Sequence, residues 1–160
     1  MHLQVVKSLT NNTIQHFCMT DFNRLLARQK FNQGVRFLLL SALITLDEPD
    51  KFRKYDKMYA DDNLSASLLY SRALFAFKTE GDSANARKLL QKAFEKNPNV
   101  VPKMLDMLDD NYKFENVEHY SLGSPEEAII YLNYAIFAWQ RIEGAIEWSV
   151  DTIGKILKKK

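Results

Sequence analysis

The sequence predicts an all-α fold, and three observations carry that expectation. Apolar residues recur at helical spacing along most of the chain, no segment shows strand-like alternation, and turn residues are scarce, with 5 glycines and 4 prolines among 160 residues. With 46% hydrophobic, 26% charged and 12% aromatic residues, the composition is that of a folded domain large enough to enclose a core. The chain is expected to form one helical domain over residues 1–160, with 1–12 poorly structured.

Thr20-Asp21-Phe22 opens a first short helix through Lys30, Thr20 capping it and Phe22, Leu25 and Leu26 on one side. Asn32 can cap a second helix, Gln33–Leu46, whose side chains are apolar almost all round, so that it must be buried on most sides. Glu48-Pro49-Asp50 starts a third helix, because proline fits the first turn and acids favour the positive end; it runs to Tyr59. After Asp61-Asp62-Asn63 comes Leu64–Glu80, closed by Gly81 as a left-handed cap. Asp82-Ser83 restarts the chain into Ala84–Lys96, which stops at Asn97-Pro98.

A short helix follows from Val100 to Leu108. Asp109–Gly123 is the one long irregular segment, and Tyr112, Phe114 and Tyr120 suggest that it packs down. Ser124-Pro125-Glu126-Glu127 is the clearest start signal: serine caps, proline takes the first turn, and Glu127 reaches back to complete a capping box. That helix is expected to run to Trp139, and Ile142–Leu157 forms the last one, with Gly144-Ala145 permitting its close approach. Short loops imply antiparallel hairpins, and helices apolar on two sides imply layers. The expected architecture is a short solenoid or irregular bundle of about seven to eight helices.

Tyr70–Pro98 fits one tetratricopeptide unit. Tyr70 is the first large anchor, Ala73-Leu74 the close-packing pair, Phe77 the aromatic, and Gly81 marks the turn; Ala86, Leu90 and Ala93 follow, and Pro98 ends the unit. A longer resemblance covers Asp21 to Val150. It runs through Asn32-Gln33-Gly34-Val35-Arg36, Ser71-Arg72-Ala73-Leu74, Glu80-Gly81-Asp82-Ser83, Asn97-Pro98-Asn99-Val100, Gly123 to Ala128, and Gly144-Ala145-Ile146-Glu147-Trp148. In this order and spacing the chain resembles tetratricopeptide-like proteins related to the suppression-of-tumorigenicity-7 family. The resemblance implies a helical-repeat fold and a protein-interaction role, and it brings no catalytic residues. Relatives carry further helices before the Asn-Gln-Gly segment, and a basic, proline-rich stretch where this chain has Lys103–Asp110.

Charge and chemistry exclude more than they assign. Twenty-two basic against 20 acidic residues leave +2, which gives no electrostatic reason to expect nucleic acid. A single cysteine, Cys18, rules out an internal disulfide, and neither His-x-x-x-His nor Cys-x-x-Cys spacing occurs, so no metal or other cofactor is expected. The longest uncharged stretches, Phe37–Leu46 and Ala128–Gln140, fall short of the ~20 residues that span a bilayer. No targeting segment is evident at Met1–Thr10, so a cytoplasmic location is expected, though an exported effector would read the same way.

Paired acids (Asp61-Asp62, Asp109-Asp110, Glu126-Glu127) sit at helix boundaries, where capping explains them. Gly81-Asp82-Ser83 lacks the glycines and lysine of a phosphate loop, and the lysine-rich C-terminus suits a helix end. Trp139 and Trp148 read as core residues with their indole N–H on carbonyls. Arg36 and Arg72 occupy comparable places on helices that would line the inner face of an array, where arginine can clasp a carboxylate; the competing reading has them hold neighbouring helices.

The resulting expectation is a non-enzymatic interaction module that binds a peptide or helix of another protein, with Arg36, Tyr70 and Arg72 as candidate groove residues. Two rivals remain at this stage. One is self-association covering the apolar Val35–Leu46 helix, and the other a small hydrolase in which Cys18 would work with His16 or His119.

Overall fold

The computed structural model describes residues 33–113 and 115–158, with side chains from Leu39 onward. The expected helix ending at Lys30, the Asn32 cap, Cys18, His16, Phe114, the last two lysines and the side chain of Arg36 lie outside the described residues. Seven helices are described: α1 Gln33–Thr45, α2 Pro49–Met58, α3 Ala66–Glu80, α4 Ala84–Lys96, α5 Val100–Asp106, α6 Pro125–Arg141 and α7 Ala145–Leu157. No strand occurs among the described residues, so the all-α expectation holds.

The helix ends show how local chemistry set the boundaries. Pro49 and Asp50 occupy the first turn of α2. Helix α3 starts two residues later than the sequence suggested, because Asp62 Oδ1 accepts the N–H groups of Leu64 and Ser65, each at 3.2 Å, and holds them in the preceding turn. Ser83 Oγ caps α4 by accepting from Ala86 N at 3.0 Å, and Ser124 Oγ caps α6 by accepting from Glu127 N at 3.2 Å.

Gly81 is the C-cap of α3, but its backbone (φ 66°, ψ −150°) is not the left-handed helical one expected; it lies in a region essentially confined to glycine. Ile142 belongs to the turn after α6, and α7 begins only at Ala145. Gly144 serves that turn through its positive φ of 74°. A Cβ there would meet nothing within 4 Å, so close helix packing is not its reason.

Helices α3 and α4 form the most extensive pair, with Ala73, Ala86 and Ala93 fully buried between them. Near the start of α3 the Tyr70 hydroxyl donates to the carbonyl of Asn97 just past the end of α4, at 2.8 Å, which fixes the pair as antiparallel. Helix α1 packs on α2, α3 and α6, α5 packs on α6, and α7 lies on α4, α6 and α3. Units of a solenoid touch only their neighbours in sequence; the α1–α6 contact joins elements far apart and draws the described helices around one core.

Trp139, Tyr70 and Tyr131 are the largest fully buried side chains of that core. The indole of Trp139 donates to the Tyr131 hydroxyl at 2.9 Å instead of the carbonyl expected. Trp148 stacks on Phe77 at 4.4 Å and donates to Asp82 Oδ1 at 2.8 Å, fastening α7 to the α3–α4 hairpin. Leu39, Leu40, Leu43 and Ile44 are buried within this same core.

Glu127 departs furthest from its expected role. Its carboxylate does not return to the N–H of Ser124. Oε2 accepts from Gly123 N at 2.7 Å and from Asn97 Nδ2 at 3.0 Å, while Oε1 accepts from Ala66 N, the first residue of α3, at 3.0 Å. One buried carboxylate therefore joins the starts of α3 and α6 to the end of α4.

Candidate functional site

An open cleft of about 230 Å³ lies between α2, α3 and α4. Its floor is built by the apolar stripes of the first two: Phe52 of α2 and Phe75 of α3 stack with centroids 4.0 Å apart and planes 11° from parallel. Phe52 is buried and Phe75 is half-buried, so part of the Phe75 ring borders the cleft. The Arg53 guanidinium stands 5.4 Å from the Phe75 centroid, in cation–π range. Leu89 of α4 and Thr79 of α3 complete the opposite side.

Most charges in the cleft have partners within the chain. The Arg72 guanidinium uses all three nitrogens: Nε donates to Asp56 Oδ1 at 2.5 Å, Nη1 to the Asp62 carbonyl and Nη2 to the Tyr59 carbonyl, each of the last two at 2.8 Å. It thereby holds the exit of α2, where cationic donors suit the exposed carbonyls. The Glu80 carboxylate accepts from Ser83 Oγ at 2.7 Å and from Asn85 Nδ2 at 3.1 Å. Arg53 pairs with Asp50 at 3.2 Å, but the Asp50 side chain is 98% exposed.

The three sequence-selected residues part company here. Arg72 lines the cleft and at the same time clamps α2 to α3. Tyr70, on the same helix, is fully buried, and burial pushes its phenol well above the usual range; it shapes the interior and presents no surface to a partner. Arg36 belongs to α1, and its side chain lies outside the described residues. The sequence carries no signal for the stacking of Phe52 on Phe75, because neither residue's partner is visible in the spacing of its own helix.

Chemically the cleft offers an aromatic face, aliphatic walls and rim charges. Its lining contains no histidine, cysteine or serine, and the Thr79 hydroxyl donates to the Phe75 carbonyl at 3.0 Å. Sites that enclose small molecules occupy about 300–1,000 Å³, so an open hollow of this size suits one or two inserted side chains better. Among the described residues no three His, Cys, Asp or Glu side chains converge as metal ligands, and no helix is long and apolar enough to cross a membrane. The chain matches no family model, no curated protein and no solved structure.

Proposed function

We propose that this chain is a non-catalytic interaction module of the cytoplasm that binds a peptide or helix of another protein in the α2–α3–α4 cleft. The observation that carries this reading is the half-buried Phe75 ring, backed by the buried Phe52, at the floor of an open hollow of side-chain size. Apolar anchors seated in such hollows supply most of the energy in helix-in-groove recognition. The tetratricopeptide-like relationship suggested by Tyr70–Pro98 agrees with this reading, since paired helices of that kind serve mainly to present surfaces. Arg72 contributes by holding the wall formed by α2, and Arg36 is kept as a contact to be tested.

The test is site-specific photo-crosslinking from Thr79, which is exposed in the cleft, beside a control at Tyr134, which is 53% exposed on α6. Crosslinks to a second polypeptide from Thr79 and not from Tyr134 are expected. Equal labelling from both positions, or none from Thr79, overturns the proposal. A second copy of this chain as the crosslinked species would identify self-association. Reversing the charge of Arg72 is a poor substitute for this test, because a carboxylate there would face Asp56 and release α2.

A further inference from the structure

Resting on the interaction reading above, what covers the cleft floor decides how a partner reaches it. The Phe75 ring has two neighbours in contact with it. Phe52 stacks on it at 4.0 Å, and the Arg53 guanidinium lies over it at 5.4 Å. The two are held very differently. Phe52 is 2% exposed and belongs to the core, whereas the Arg53 side chain is 59% exposed. The ion-pair partner of Arg53 is Asp50, at 3.2 Å and one turn earlier on α2, whose own side chain is 98% exposed. A pair of that kind contributes little. Arg72, the other cation of the lining, is by contrast fixed by three acceptors from α2 and the turn after it. The cleft is thus lined by one anchored guanidinium and one that a partner can push aside.

We propose that Arg53 is a gate over the cleft: its guanidinium rests on Phe75 in the free chain and swings toward solvent when an apolar side chain of the partner takes its place on the ring. Exposed side chains change rotamer within nanoseconds, so the gate sets an affinity and not a rate. A cation–π contact at an exposed site is weak, which leaves the open form a minor but substantial fraction. Apparent affinity is lowered by that fraction. The sign of the effect separates a gate from a contact residue: removing a contact weakens binding, whereas removing a gate strengthens it.

The first measurement needs no partner. Nuclear magnetic resonance of the full chain should show the Arg53 side-chain protons shifted upfield by the Phe75 ring, and Phe75→Leu should remove that shift. Protons that are unshifted, or insensitive to Phe75→Leu, overturn the gate. The second measurement selects displayed random helical peptides on the full chain and follows enriched peptides of no net charge, so that loss of the cation does not itself alter attraction. Circular dichroism checks that each variant folds. Thr79→Trp, which fills the cleft, should abolish binding, and Arg53→Ala should tighten it about threefold to sixfold. Bound peptide should also return the Arg53 protons to their unshifted positions. Unchanged or weaker binding by Arg53→Ala overturns the gate and leaves the interaction module standing. Absence of any peptide sensitive to Thr79→Trp removes the interaction reading and the gate with it.

Discussion

At its start, helix α3 meets a buried carboxylate; along its outer face it contributes cations to its neighbours. Glu127 is 3% exposed and is satisfied by uncharged donors alone, two backbone N–H groups and the Asn97 amide. Arg72 and Lys78, by contrast, reach the C-terminal ends of other helices. Arg72 holds the α2 exit, and Lys78 Nζ donates to the Ile44 carbonyl of α1 at 3.1 Å and to Asp47 Oδ1 at 2.6 Å. The difference follows solvent access. Where water is excluded, every lone pair must find a donor within the protein. At the rim, a flexible cation serves and water completes the rest.

Removing the buried acceptor should have the largest effect. Glu127→Ala strands two backbone donors and one amide in the interior and is expected to cost about 3–5 kcal/mol, read as a lower urea midpoint. A loss below about 1 kcal/mol would mean that water enters the junction freely.

Alkaline pH probes the same buried region. Burial raises the Tyr70 and Tyr131 phenols above their ordinary value, and the unfolded chain ionises near pH 10. The neutral phenols therefore favour the folded state fully below about pH 10. That contribution falls as pH rises beyond it, by about 1.4 kcal/mol per unit for each phenol. The part of the tyrosinate absorbance that is lost in the Tyr70→Phe, Tyr131→Phe variant should appear together with loss of helix; smooth titration of both phenols in the folded protein would contradict this.

The rim contacts should answer more weakly. Arg72→Ala is expected to cost about 1–2 kcal/mol, since its side chain is 12% exposed and its Asp56 partner 32%, and Arg72→Lys should restore only part because one ammonium cannot span three acceptors. Asp82 offers a milder comparison. The Arg87 guanidinium, then the Trp148 indole, hold its carboxyl down to about 2. The stability it gives is present above the unfolded value near 3.9 and disappears as pH falls toward 2. Asp82→Asn should alter Trp148 fluorescence at neutral pH and remove that acid dependence. Lys78→Met should give the smallest loss, shrinking further in high salt.

Much of the helical layout was legible because its signals are local. Ser83-Ala84, Pro49-Asp50 and Ser124-Pro125 carry their own start chemistry, and α4 has the very bounds that its cap and Asn97-Pro98 dictate. Illegible features were those needing a second element. The capping-box spacing of Glu127 is satisfied as well by a solvent-facing carboxylate as by one buried against α3 and Asn97, and only packing separates them. Arg72 could be read as a groove contact or as a clamp between helices, and its three acceptors come from α2 and the turn after it.

The sequence by itself determined the all-α class, most helix boundaries and the burial of Trp139 and Trp148, because periodicity and capping act within a few residues along the chain. Tertiary structure alone decided that α1 closes on α6, that Tyr70 turns inward to Asn97, and that Phe52 and Phe75 stack at the floor of a cleft. Those arrangements join residues from separate helices, and the spacing within one helix carries no information about which face of another it will meet.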